Sequence, residues 1–274
     1  MDLPPPFGTA PVTQHRPEGP ATACRALPEE TAIAMVYDGT THAVMMATPA
    51  DIEDFATGFS LTEGIVSDRG QIASCDVIAH PKGIEAQMWL AEDRGAQLAA
   101  RRRTLAGPVG CGLCGIDSIE AAVRSLPRLD GTGPMLTAED IAAATQSLRG
   151  WQPLHDCTRA VHAAGFLRPG RGIVLAREDV GRHNALDKLI GAMARQGVDP
   201  AQGAIVLTSR VSTEMVQKCV MAGCAVLIAV SAPTLHALRL AQGAGLTLAA
   251  LARGDGFDLF CHPERLTAKV SDVA

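Results

Sequence analysis

The chain has 274 residues, 47% of them hydrophobic, which is enough apolar material for one large or two modest cores; its net charge is -5 and its pI about 5.9. An acidic balance excludes nucleic acid as a bulk partner, so an anionic ligand has to be met by local positive charge. No apolar stretch approaches the roughly 18 residues needed to cross a bilayer, so no membrane partner is expected.

The first twenty residues hold Pro4, Pro5, Pro6, Pro11, Pro17 and Pro20 without a charged segment leading into an apolar one. This reads as a disordered leader over 1–23 rather than a secretory signal. Eight cysteines without such a signal imply free thiols in a reducing, cytoplasmic compartment. Six of them read as structural or incidental; Cys219 and Cys224 in apolar surroundings and Cys261 at a strand end read as small buried hydrophobes.

TAIAMVYDGTTHAVMMA carries two β-prone runs around Asp38 and Gly39, a two-residue hairpin signal. A helix follows, with Thr48 placed to cap it, Pro49 at its first position, and Ile52, Phe55, Ala56 and Phe59 at helical spacing before Gly64. IEAQMWL then alternates as a strand, with Ile84, Ala86, Met88 and Leu90 on one side. Residues 24–104 form a small α+β domain on this reading. Residues 105–133 form a connecting segment that contains GCGLCG (110–115) and a short helix near 118–126.

A second domain over 134–274 begins with a helix at Thr137, where Asp140 can complete a capping box. From Gly172 the pattern alternates strand and helix. GIVLA, AIVLT, AVLIAV and LTLAALA are short continuous apolar runs, separated by helices that carry Leu186, Leu189, Ile190 and Met193, then Met215 and Val216, then Thr234 to Ala241. The fold class is α/β, with a mostly parallel sheet covered by helices.

In such sheets ligands bind outside the carboxyl ends of the strands. The polar loops REDVGRHN, TSRVST, SAPT and ARGDG all fall there. Their helix starts, the hydroxyls of Ser209, Ser212 and Ser231 and the guanidiniums of Arg182, Arg210 and Arg253 suit a phosphate-bearing ligand. The alternative is ordinary helix capping and solvation.

GCGLCG satisfies both G-x-G-x-x-G and CxxC. The dinucleotide reading needs a buried strand first, and RRRTLAGPV, with three arginines, a glycine and a proline, is a poor one, although Asp130 has suitable spacing. A structural zinc site would need further ligands such as His155 and Cys157, and there is no second CxxC. Zinc deaminase chemistry needs H-x-E, whereas His162 is followed by Ala163 and Ala164. The thioredoxin arrangement, with CxxC at a helix start after a strand, is absent as well. Thiol chemistry on an exposed glycine-rich loop remains, with Arg101, Arg102 and Arg103 able to favour thiolate or, equally, forming a solvated face.

GCGLCG, HAA (162–164), REDVGRHNALDKLIGA, SRVSTEMVQK, AVSAPT and LTLAALARGDGFDLFCHPERL together resemble the formate dehydrogenase accessory sulfurtransferases of the FdhD/NarQ family, from about Leu27 to Leu266. The resemblance implies a cytidine-deaminase-like, three-layer C-terminal domain without its zinc, and a homodimer. It further implies that Cys111 carries persulfide sulfur from a cysteine desulfurase, with Cys114 in support. The acceptor would be a molybdenum or tungsten bis-pterin guanine dinucleotide cofactor, destined for the formate dehydrogenase catalytic subunit. Leu251, Ala252, Arg253, Gly254, Asp255 and Gly256 would form the cofactor loop, with Asp179, Arg182, His183, Ser209, Arg210 and Ser231 binding or orienting the cofactor; no bound metal is implied. His183 is equally readable as a cap or packing residue. A rival function on the same loops is a non-covalent cofactor chaperone. The chain departs from the family pattern at Thr158-Arg159-Ala160, where T-G-G is common, and at Asp255, where a basic residue is common.

Overall fold

The structure, a computed structural model, describes residues 2–91, 125–129, 131, 133–254 and 256–267. The expected short helix near 118–126 falls mostly outside them. The segment expected to be a disordered leader is instead a two-stranded ribbon, β1 (Phe7–Arg16) and β2 (Gly19–Pro28), in register from Phe7↔Pro28 to Arg16↔Gly19. The prolines misled because each strand of an isolated ribbon keeps a free edge, and there a missing N–H costs no ladder bond.

The N-terminal sheet comprises β3 (Thr31–Tyr37), β4 (Thr40–Ala47), β5 (Ile72–His80) and β6 (Gly83–Leu90) in the order β4-β3-β6-β5. Asp38 and Gly39 both take positive φ, 49° and 73°, so the hairpin turn has the hand that matches strand twist. Ile84, Ala86, Met88 and Leu90 point inward, as their alternation requires, and pack with Ile33, Met35 and Tyr37 under α1 (Ile52–Thr62). The helix cap is Asp51, not Thr48. Thr48 is fully buried and faces the other sheet, where its hydroxyl accepts from Val180 N at 3.1 Å.

The second sheet contains β7 (His162–Arg168), β8 (Gly172–Asp179), β9 (Ala204–Leu207), β10 (Val226–Ala229), β11 (Thr247–Arg253) and β12 (Gly256–Cys261), ordered β12-β11-β10-β9-β7-β8. It is mixed rather than mostly parallel. Only β9/β10 and β10/β11 pair in parallel; β7/β8, β7/β9 and β11/β12 are antiparallel. The apolar runs correctly marked strands buried on both faces, but burial does not encode direction, and β7 turns back between β8 and β9. Helices cover both faces. Ile205, Leu207, Leu227 and Leu248 pack toward α4 (Arg182–Gln196), α5 (Thr213–Met221) and α6 (Leu235–Ala244). Ala204, Val206, Val226, Ile228 and Ala249 face α2 (Ala138–Arg149), which starts with the Thr137–Asp140 capping box. A one-turn helix, α3 (Pro153–Thr158), leads into β7.

Helices α1 and α4 join the two sheets. Gly58 and Gly191 lie where the helices meet, and a Cβ on either would come within 1.8 Å of a backbone carbonyl of the facing helix, Asp187 O or Asp54 O. Backbone cannot yield cheaply, so G58A should destabilise the protein by about 3 kcal/mol. Thermal unfolding of G58A measures this; an unchanged Tm would mean that the helices are not pressed together there. Around the contact, Asp54 binds Arg177 at 2.7 Å and Arg195 at 2.5 Å, and Lys218 binds Asp187 at 2.9 Å, Thr62 Oγ1 at 3.0 Å and Glu63 at 3.0 Å. Among the described residues no helix is long and apolar enough to cross a membrane.

Candidate functional site

A cavity of about 1040 Å³ opens at the edge of the second sheet where β8, β9, β10 and β11 end. Each of the four contributes to its wall: Val180, Thr208 and Val230 are the first residues past their strands, and Arg253 is the last of β11. Because β7 runs the opposite way, its first residue, His162, reaches the same edge. The facing wall comes from α2 (Thr145, Gln146, Arg149) and from α3 and its flanks (Gln152, His155, Asp156, Arg159). A strand-end ligand site is therefore available where the topology placed one.

The wall is cationic. Arg149, Arg159 and Arg253 line it beside His155 and His162, against the single carboxylate of Asp156. Arg149 is ion-paired to Asp156. Arg159 and Arg253 are exposed, and neither guanidinium makes a hydrogen bond or ion pair among the described residues. In a chain of net charge -5 this is a local reversal of sign, suited to an anionic ligand. Burial, and then the charge of Arg182, hold the His162 imidazole below its usual pKa, so it is neutral near pH 7. Glu178 fixes α3 from below, accepting from Leu154 N and His155 N, each at 2.8 Å. Burial raises its pKa in spite of those bonds. Thr145 Oγ1 donates to Ala252 O at 3.0 Å and ties α2 to the end of β11.

The expected site residues separate into groups. Ala252, Arg253 and Gly254 line the cavity; Leu251 and Gly256 flank that turn without lining it. Leu251 takes a positive φ of 54° beside the irregular pairing of β11 with β12. Asp255 and both loop cysteines, Cys111 and Cys114, lie outside the described residues. Asp179 does not reach the cavity. It is fully buried, 2.7 Å from Lys188 Nζ, and accepts from Thr48 N, Gly181 N and Asn184 Nδ2 at 3.0, 2.7 and 2.9 Å.

Arg182 and His183 begin α4, partly buried, and the Arg182 Nε is enclosed without a hydrogen-bond partner among the described residues. His183 Nε2 lies 3.4 Å from Glu214, too poorly aligned for a hydrogen bond but close enough for ion pairing. His183, and then the Ser212 hydroxyl at 2.7 Å, hold the Glu214 carboxyl at about 2. Ser209 is buried with its hydroxyl on Arg210 O, Arg210 is exposed, and Ser231 is half-buried; none of the three lines the cavity.

The α2 and α3 wall carries no strand-end signal: Arg149 is unmarked in the sequence, and Arg159 stands out there only as a departure from T-G-G. Of the zinc candidates, His155 bonds Val161 O through Nδ1 at 3.2 Å and Cys157 is exposed. Among the described residues no group of three or more His, Cys, Asp or Glu could hold a metal. Cys219 and Cys224 are buried as expected and Cys261 is half-buried; Cys24 and Cys157 are exposed.

Fold and cavity together define a class, a three-layer α/β protein with a cation-lined cavity at the carboxyl edge of its sheet. Comparison with known proteins supplies the family. The profile of the FdhD/NarQ family matches residues 28–267, and this chain belongs to that family. It is 56% identical over 252 residues to the sulfur carrier protein FdhD of Brucella abortus, covering 92% of this chain and 94% of that one. It is 52% identical over 247 residues to the protein of the same name from Agrobacterium fabrum, covering 90% and 91%. A crystal structure from Desulfotalea psychrophila, described as a "putative formate dehydrogenase accessory protein", superposes with a TM-score of 0.74 at 23% identity, covering 96% of this chain and all of the other.

Proposed function

We propose that this protein is a sulfur carrier for formate dehydrogenase. The Cys111 thiolate attacks the outer sulfur of a cysteine desulfurase persulfide; a new S–S bond forms at Cys111 and the donor cysteine leaves as thiolate. The acceptor is a molybdenum or tungsten bis-pterin guanine dinucleotide cofactor held in the strand-end cavity. Transfer of the outer sulfur breaks the S–S bond: the reduced acceptor supplies the electron pair that binds the sulfur and Cys111 leaves as thiolate, with Cys114 assisting on the same loop. The protein acts in the cytoplasm, as a homodimer, and hands the sulfurated cofactor to the catalytic subunit of formate dehydrogenase. A likeness of the second sheet and its helices to the cytidine deaminase fold belongs to the same proposal.

The observation that carries the reading is the cavity, large enough for a dinucleotide-sized ligand and lined by Arg149, Arg159 and Arg253 in an acidic protein, in a chain whose relatives are named sulfur carriers. Arg253 would hold phosphate, and the neutral imidazole of His162 would meet an uncharged edge of the ligand. Incubation with a desulfurase and cysteine, followed by intact-mass and peptide mass spectrometry, tests the covalent step. A one-sulfur adduct on Cys111 is expected. Its absence under conditions where the desulfurase is itself persulfidated would leave a non-covalent cofactor chaperone.

A further inference from the structure

Arg159 holds a backbone conformation that its residue type disfavours. It closes α3 in the left-handed region, at φ 60° and ψ 18°, with its N–H donating to His155 O at 2.8 Å. Helices often end on such a residue, and glycine usually supplies it, because a Cβ crowds the following carbonyl. Asn and Asp visit this region with local help from short polar side chains; arginine has no such help.

Strain of this kind persists where something else selects the residue, and binding sites are where it collects. Among the described residues the fold does not hold the Arg159 side chain; its charge reaches Asp156 only as a minor contribution behind Arg149. The side chain is exposed, its guanidinium has no hydrogen bond or ion pair among the described residues, and it stands in the cavity wall with Arg253. The third arginine there, Arg149, is already committed to Asp156. We infer that Arg159 is an anion-gripping residue of the cavity, retained at a glycine-like position because its free guanidinium binds a phosphate of the nucleotide portion of the ligand. This rests on the reading of the cavity as a guanine-nucleotide site. Arg159 touches the ligand's phosphate and takes no part in the sulfur step.

The assignment makes stability and binding move in opposite directions. Glycine at 159 relieves the backbone and removes the fork of donors; asparagine tolerates the left-handed region and also lacks the charge. The wild-type protein, R159G and R159N are to be compared by thermal unfolding and by calorimetric titration with GDP at several salt concentrations. R159G should gain about 2 °C in Tm, while both variants bind GDP roughly tenfold more weakly and with a shallower salt dependence. Two results overturn the inference while leaving the nucleotide site standing: unchanged GDP affinity in both variants, or a loss of affinity with unchanged salt dependence. A wild-type protein that does not bind GDP overturns the nucleotide reading itself, and the role of Arg159 with it.

Discussion

Replacing Cys111 by alanine should abolish both the one-sulfur mass increment and the activation of formate dehydrogenase, while Tm and GDP affinity stay at wild-type values. The reason is chemical: accepting sulfur from a persulfide needs a thiolate nucleophile, and alanine offers none. Cys114 should not restore activation in this variant, because attack depends on reach and on thiolate fraction at one position. Measuring formate-dependent dye reduction in cells whose own accessory protein is deleted and replaced by the variant gives the functional readout. Normal activation by C111A would remove the carrier role. The cavity, about 1040 Å³ and built from strand ends distant in sequence from the cysteine loop, should be unaffected, which makes GDP affinity the control for folding.

The second large effect is structural. D179A should lower stability by about 3–5 kcal/mol, because it leaves the Lys188 ammonium, which has no solvent exposure, without its counter-charge. In a protein of this size that corresponds to a fall in Tm of roughly 10 °C. Asp179 does more than neutralise charge. It receives the Thr48 N–H from the N-terminal sheet region and the Gly181 N–H at the start of α4, and Lys188 itself donates to Thr48 O at 2.9 Å. The carboxylate thus pins two halves of the molecule at one point. Thermal unfolding checks this, and GDP titration well below the transition separates it from a ligand role: affinity there should be close to wild type. A variant with wild-type Tm and lost GDP binding would return Asp179 to the cavity.

Asp179 also shows how far the sequence can be read. REDVGRHN stood out because it is polar, charged and at a strand end, and those properties belong equally to a ligand loop and to a buried inter-sheet lock. Only the fold separates them, by bringing Thr48 and Lys188 onto the same carboxylate. The neighbouring cases are similar. Ser209 and Ser231 were chosen from their loops, yet Thr208 and Val230, one residue earlier, are the ones that face the cavity. Successive residues at a strand end point to opposite sides, so a loop can be identified while the inward residue is missed. Arg253 lines the cavity because it closes the last parallel strand. Arg159 was noticed only as a departure from T-G-G; its left-handed backbone and its place in the wall are tertiary facts.

What the sequence determined by itself is local and periodic. The Asp38-Gly39 turn, the inward set of Ile84, Ala86, Met88 and Leu90, the Thr137–Asp140 capping box and the buried runs of β9, β10 and β11 all follow from interactions a few residues long. Tertiary structure decided the rest. It reversed β7 into a mixed sheet, ordered the proline-bearing N-terminus into a ribbon, buried Asp179, and set the α2 and α3 cations opposite the strand ends. The physical reason is common to all four. Direction of pairing, burial of a charge and convergence on a cavity depend on which distant residue arrives alongside, and residue type and spacing along one segment carry no record of that arrival.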